Sequence, residues 1–424
     1  MLTRSISQVA RRRVFYIPGY DPNPPRRYRE LYRSESAAQA KISAYRIEQK
    51  PLAGETGWLT RAKMEGGEVT TRFDVLVWDD LVRDSMRGGL AGTYLALVKT
   101  AWTYLSTGTL KRLSWLAKAP VIAALYPILM LIAQALAALA GAIILASTAS
   151  WAVSVLTGAV AALVTATTWP VTLVSTLTYW GVFLPVFVLI LRWFKARDNK
   201  LFAHYLMHDF AFCASRNGAY PPPVEARLHA FRDQIAAAMT DDVDEILIIG
   251  HSSGATLAVS VLADMVRLGQ TREDGPVVSL LTLGQVIPMQ SFLPKADRIR
   301  RDLRLLSDCG LIAWVDVSAP GDGCCFALSD PVGVSGVAPA TGQIWPLVIS
   351  AAFTKTLSPE KQAELDKRWF RLHFQYLCAF DRPGDYDYFR ITSGPKTLAQ
   401  RFRGRRPSAS RIDVRASAFT STIA

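Results

Sequence analysis

The sequence predicts an α/β fold, a mostly parallel sheet flanked by helices, with a transmembrane helical segment inserted into it. Three observations predict it. Short apolar runs alternate with helix-like sequence, the pattern of strands joined by crossover helices. One block breaks that alternation: residues 119–191 contain no Asp, Glu, Lys, Arg or His, and a membrane helix needs only about 20 such residues. The charge of the 424-residue chain, 48 Lys+Arg against 35 Asp+Glu, gathers at the edges of this block and at the two termini. With half its residues hydrophobic, the chain is neither disordered nor a small disulfide scaffold.

Taken in order, MLTRSISQVARRR has no apolar core ahead of its arginines and does not read as a secretory signal. Val14–Ile17 reads as a buried strand stopped by Pro18-Gly19. Residues 57–64 and 68–78 read as a hairpin around Glu65-Gly66-Gly67, followed by Asp79-Asp80 as a helix N-cap. In the uncharged block, 120–146 and 171–191 are the most lipid-like stretches, and 147–170 between them is richer in Ser and Thr. Lys99, Lys111, Arg112 and Lys118 flank one side, and Arg192, Lys195, Arg197 and Lys200 the other, with Trp115 and Trp193 beside the ends. After the block come a helix near 224–239, a strand at Ile246–Ile249, a helix from Gly254 to Leu268, and strands at Val277–Leu283 and Leu311–Val317. The expected organisation is 1–98 and 201–392 as two parts of one domain, 99–200 as the membrane insertion, and a basic, disordered tail over 393–424.

Gly250-His251-Ser252-Ser253-Gly254 matches G-x-S-x-G directly after an apolar strand and directly before a helix. In that context Ser252 sits on a sharp strained turn. Gly250 and Gly254 must lack bulk so that strand and helix pass close together. With these residues the chain resembles the α/β-hydrolase superfamily, in particular its lipase and esterase branches. The resemblance covers 14–21 and about 245–330, with weaker support near 373, and leaves out the membrane block and the tail.

The resemblance implies an order of serine, acid and histidine along the chain. Of His204, His208, His229, His251 and His373, only His373 then follows Ser252 at a useful distance and becomes the base. The alternative is a packed histidine on a helix Lys367–Phe380. The acid is expected beyond the strand Leu311–Val317, from Asp322 in a carboxyl-end loop or Asp316 inside the strand, with the loop residue freer to reach the imidazole. The resemblance puts oxyanion donors on the amides of Ser253 and Tyr20, although this chain has Pro18-Gly19 where the family commonly has His-Gly. It implies neither metal nor organic cofactor.

The expected function is a membrane-anchored serine hydrolase cleaving an ester or thioester of a lipid-like acyl substrate. The alternative is a non-catalytic integral membrane protein that uses a hydrolase-like domain for binding or assembly. His204 and His208 have a metal-like spacing but lack the glutamate of the zinc motif, so a structural role is expected. The arginine-rich tail has no interleaved aromatics for base stacking, which removes nucleic acid as a partner and leaves the lipid bilayer. Basic residues at both ends of the block predict an even number of spans. Both termini and the catalytic domain then lie in the cytoplasm, with the chain in a bacterial inner membrane. Five cysteines without metal-binding spacing fit a reducing compartment.

Overall fold

The structure, a computed structural model, describes residues 8–52, 56–164, 169–272 and 274–423. Expectations for the first seven residues and for 165–168 lie outside the described residues. The chain divides into two compact units, one of Met1–Ser85, Thr100–Ala123 and Phe212–Ala424, the other of Met86–Lys99 and Ala124–Ala211.

The first unit is a mixed eight-stranded sheet with flanking helices. Its strands are β1 (Arg11–Ile17), β2 (Arg46–Pro51), β3 (Trp58–Met64), β4 (Gly67–Val75), β5 (Glu245–His251), β6 (Val277–Leu283), β7 (Ile312–Ser318) and β8 (Leu347–Ser350). They lie in the order β2-β3-β4-β1-β5-β6-β7-β8. Pairings from β4 through β8 are parallel, and β2-β3-β4 form an antiparallel edge. β5, β6 and β7 are buried at every residue, which is why they read as unbroken apolar runs. β3 alternates buried and outward residues, as a half-covered antiparallel strand must.

Three elements carried no clear pattern of their type. β2 is RIEQKP, an edge strand with no buried residue. β8 has only four residues. The helix Arg26–Ser43 buries Tyr28, Tyr32, Ser36 and Gln39, a helical stripe half made of polar side chains. Asp79 and Asp80 open a helix in its first turn, where they pair with Arg83 and Arg227.

One buried ion pair ties the sheet to the end of the chain. Arg12 Nε donates to Glu245 Oε2 at 2.6 Å, with both side chains fully buried. The other Arg12 nitrogens donate to the carbonyls of Gly394 and Lys396, and Glu245 Oε1 accepts from Ser279 and from the Leu398 amide. The tail from 393 is therefore not disordered, contrary to its composition. Leu398–Arg401 is helical with a capping box at Thr397. Further on, the Ser408 amide bonds Val348 O, the Ala416 amide bonds Val334 O, and Arg300 Nε donates to Ser421 O. Arg401 and Arg405 pair with Glu65 and Asp385. These partners come from distant parts of the chain, and composition does not reveal them.

Lys118–Val164 is one continuous helix and Trp169–Lys195 a second, in the second unit from Ala124 on. The first runs unbroken from 147 to 164, through part of the stretch richer in Ser and Thr. Ser and Thr there bond back onto their own helix, as Thr148 does to Ile144 O and Thr157 to Val153 O. The two helices run antiparallel: the Ser150 hydroxyl donates to Ser175 O, and a side chain on Gly141 would strike Ile190. The stretch facing 171–191 thus includes residues 141–150. His204 and His208 both approach the Thr93 hydroxyl, at 3.4 and 3.1 Å, a hydrogen-bonded arrangement in keeping with a structural role.

Arg12→Ala strands Glu245 without its charge partner. A stability loss of about 3–5 kcal/mol is expected, read as a lower unfolding temperature in detergent, with early protease access to the segment after 393. An unchanged melting temperature would refute the assignment.

Candidate active site

The turn at Ser252 is built by the crossing of three backbones. β5 ends at His251, the next helix runs Gly254–Arg267, and Ser252 between them has φ +57°. This left-handed conformation costs about 1–2 kcal/mol in a non-glycine residue. A side chain on Gly250 would lie 2.6 Å from Ala255 Cα, and one on Gly254 only 2.3 Å from Ile17 O. Both glycines are thus required by backbone contact. The Ser252 amide donates to Leu283 O at 2.9 Å, and its side chain is partly exposed.

Asp322 and His373 meet beside this turn. Asp322 lies in the loop after β7, and His373 ends the short helix Trp369–His373. The expected helix Lys367–Phe380 is broken here: a 3-10 turn at Gln375–Leu377 follows, with the Phe374 amide already turning back onto Phe370 O. His373 Nδ1 donates to Asp322 Oδ2 at 2.7 Å, and both residues are buried. The Tyr376 hydroxyl donates to the same oxygen at 3.0 Å, and the Cys324 amide donates to Oδ1 at 2.9 Å. Burial pushes the Asp322 carboxyl up, but the His373 charge and hydrogen bond and the Cys324 amide outweigh it. The net shift is downward, so Asp322 is an anion that fixes the Nδ1–H tautomer.

His373 Nε2 is buried and has no hydrogen-bond partner among the described residues. A side chain on Gly284 would sit 3.1 Å from His373 Cε1. The imidazole therefore borders the residue next to Leu283, which holds the Ser252 amide. No hydrogen bond joins Ser252 to His373 among the described residues, a common state of such pairs before substrate binds.

Asp316, the other candidate acid, lies apart from His373. It is fully buried in β7, accepts from the Thr282 hydroxyl, and burial raises its pKa to about 7. The amide of Tyr20 does face Ser253, but it donates to Ser253 Oγ at 2.8 Å. The loop carrying it is held by Trp78, whose indole donates to Pro18 O.

Three residues of the site carried no sequence signal. Tyr376 bridges the loop and the acid, its hydroxyl accepting from the Ala319 amide while donating to Asp322. His251 Nε2 donates to the His373 carbonyl at 3.0 Å, and burial, followed by the His373 charge, pushes its pKa down to about 3. It is a neutral donor fixing the backbone of the neighbouring histidine. Trp78 fixes the loop ahead of Tyr20. Each is identified only by contacts between distant segments.

Asp322, Cys324 and His373 are also the one set of potential metal ligands within 4.8 Å of one another among the described residues. The direct 2.7 Å bond between Asp322 and His373 is proton-sharing geometry, and Tyr376 already occupies the same oxygen. The donor set fits a hydrogen-bonded pair better than a cation. A cavity of 370 Å³ adjoins this loop, lined by Gly321 and Gly323 on either side of Asp322, by Phe353, Trp369 and Leu372, and by Ala119.

The two aspartates titrate in opposite directions. Asp316 has a raised folded pKa, so its stabilising contribution is complete below the ordinary carboxylate range and fades as pH rises towards about 7. Asp322 is lowered, so its contribution is present above the ordinary value and lost as pH falls through the folded value. The melting temperature of wild type relative to Asp316→Asn should therefore decline from pH 4 to pH 7 and level off above; a pH-independent difference would contradict this. No protein-family model, curated protein or solved structure matches the chain, so the chemistry of the site stands on its own geometry.

Proposed function

We propose that the chain is a bilayer-anchored serine hydrolase of α/β-hydrolase architecture acting on an ester or thioester of a lipid-like acyl group. The observation that carries this reading is the buried Asp322–His373 hydrogen bond, with the second imidazole nitrogen unpartnered beside the strained Ser252 turn. Ser252 Oγ attacks the acyl carbonyl as His373 Nε2 takes its proton. Asp322 stabilises the imidazolium, which then protonates the leaving group. Water activated by His373 cleaves the acyl-enzyme and returns the proton to Ser252. The Ser253 amide, at the start of a 14-residue helix, and the Tyr20 amide are the oxyanion donors. The second becomes available when the Ser253 hydroxyl rotates away.

Anchoring is supported by the helices Lys118–Val164 and Trp169–Lys195, whose most apolar 18-residue stretches have mean hydropathy 2.5 and 2.0. Their exposed faces carry Leu139, Leu163, Leu177 and Leu189. β4 precedes the insertion and β5 follows it, and both pair with β1, so the chain returns to the side it left. A non-catalytic binding module is the second reading, favoured by the engagement of the Tyr20 amide with Ser253 Oγ.

A fluorophosphonate probe applied to membranes containing the protein should label wild type and leave Ser252→Ala unlabelled, with esterase kcat/KM falling by about 10⁴-fold or more. Labelling that survives the substitution, or never appears in folded wild type, selects the binding module. Gly321→Leu tests the acyl preference. A Cβ there meets nothing within 4 Å, so the leucine folds but fills the cavity. Hydrolysis of long-chain p-nitrophenyl esters should drop about tenfold or more relative to the acetate ester, one or two buried methylenes' worth of contact per decade. An unchanged chain-length profile would separate the cavity from the substrate.

A further inference from the structure

The second unit carries its own cavity, of 670 Å³. Gly89 and Tyr94 of the helix Gly89–Ser106 form one wall, Ala135 of the helix Lys118–Val164 another, and Leu191, Arg192 and Lys195 of the helix Trp169–Lys195 a third. Its volume is in the range of small-molecule sites. Two cations one turn apart line an otherwise apolar space, and no carboxylate is among its described lining residues. Neither Arg192 nor Lys195 has an ion-pair partner among the described residues. Arg197 lies over the Trp193 ring, 3.8 Å from its centroid.

The antiparallel register fixes the level of this cavity along the hairpin. Gly141 faces Ile190 and Ser150 meets Ser175, so Arg192 and Lys195 stand level with the residues just before 141, where Ala135 lines the same cavity. Beyond that level, both helices continue for more than 20 residues without a charge, enough to cross the hydrocarbon layer. The two cations therefore stand where one arm passes from apolar to charged sequence, and the cavity opens along apolar helix faces.

We propose that this cavity is a binding site for one anionic glycerophospholipid. Arg192 and Lys195 hold the phosphate, and the groove between the three helices takes the upper part of an acyl chain. The inference rests on the reading of the hairpin as bilayer-inserted. It is independent of the chemistry at Ser252. Basic pockets between membrane helices on the cytoplasmic side recognise lipid phosphates in this way.

The test uses the full chain in detergent, with dioleoyl phosphatidylglycerol or dioleoyl phosphatidylcholine added and retained lipid counted by native mass spectrometry. Wild type should prefer phosphatidylglycerol by about 10–30-fold, the effect of two basic contacts. Arg192→Gln with Lys195→Gln should abolish the preference. Ala135→Phe, which fills the groove without changing charge, should reduce retention. Arg197→Gln with Lys200→Gln should leave it intact. Equal retention of the two lipids, equal effects of the two charge pairs, or displacement of lipid by millimolar glycerol 3-phosphate would each overturn the proposal. Release of the protein from membranes by alkaline carbonate would instead overturn the bilayer reading beneath it, a failure distinct from loss of lipid preference in an integral protein.

Discussion

The central strand β1 must be hydrogen-bonded on one side by the strand before the insertion and on the other by the strand after it. Val14 is in register with Phe73 of β4 and with Leu247 of β5, although more than 170 residues separate those partners. Such pairing has a high loop-closure cost. The buried Arg12–Glu245 pair crosslinks the same two strands and also draws in the C-terminal segment through Gly394, Lys396 and Leu398. Replacing such a pair with apolar residues of equal volume can cost nothing, but neither member tolerates loss of the other. It thus specifies which strands pair more than it adds net stability. Pro18–Tyr20 at the end of β1, Ser252 after β5 and Asp322 after β7 all lie at the carboxyl edge of the sheet because this register holds, and the carboxyl edge is where open parallel sheets collect their sites.

The site divides two buried aspartates by environment alone. Asp316 has one hydrogen bond from a hydroxyl and little else, so burial dominates and the carboxyl is driven towards neutrality. Asp322, six residues later, accepts from an imidazole, a phenol and an amide, and the charge survives burial. The two histidines, with ring centroids 4.8 Å apart, differ in their hydrogen bonds instead: His251 Nε2 donates to a carbonyl, whereas His373 Nε2 has no partner among the described residues.

How much of this was legible in the sequence follows from where each signal resides. The central strands were readable because burial on both faces favours apolar residues, as in Ile246–Ile249. The Ser252 turn was readable because its two glycines answer a local steric demand. β2 was not, since an edge strand is solvated and its sequence RIEQKP resembles a loop. The tail misled in the opposite direction. Its arginines look solvated one by one, yet Arg401 pairs with Glu65 far back in the chain and Arg405 with Asp385. At the site, the resemblance carried by the Ser252 motif implied Asp322 and His373, but nothing local announces Tyr376, His251 or Trp78, whose roles are contacts between segments.

The uncharged block shows the same limit in its sharpest form. At 1.5 Å per residue, a helix of 47 residues is about 70 Å long, more than twice the roughly 30 Å of a hydrocarbon layer. Apolarity alone therefore selects no span within it: after Lys118 it carries no charge to its end. Position comes only from the partner helix, whose own charges begin at Arg192, through the contacts of Gly141 with Ile190 and of Ser150 with Ser175. An apolar helix without a register is an unmarked rod. The second helix supplies the scale, and its first cations mark where apolar sequence gives way to charged sequence.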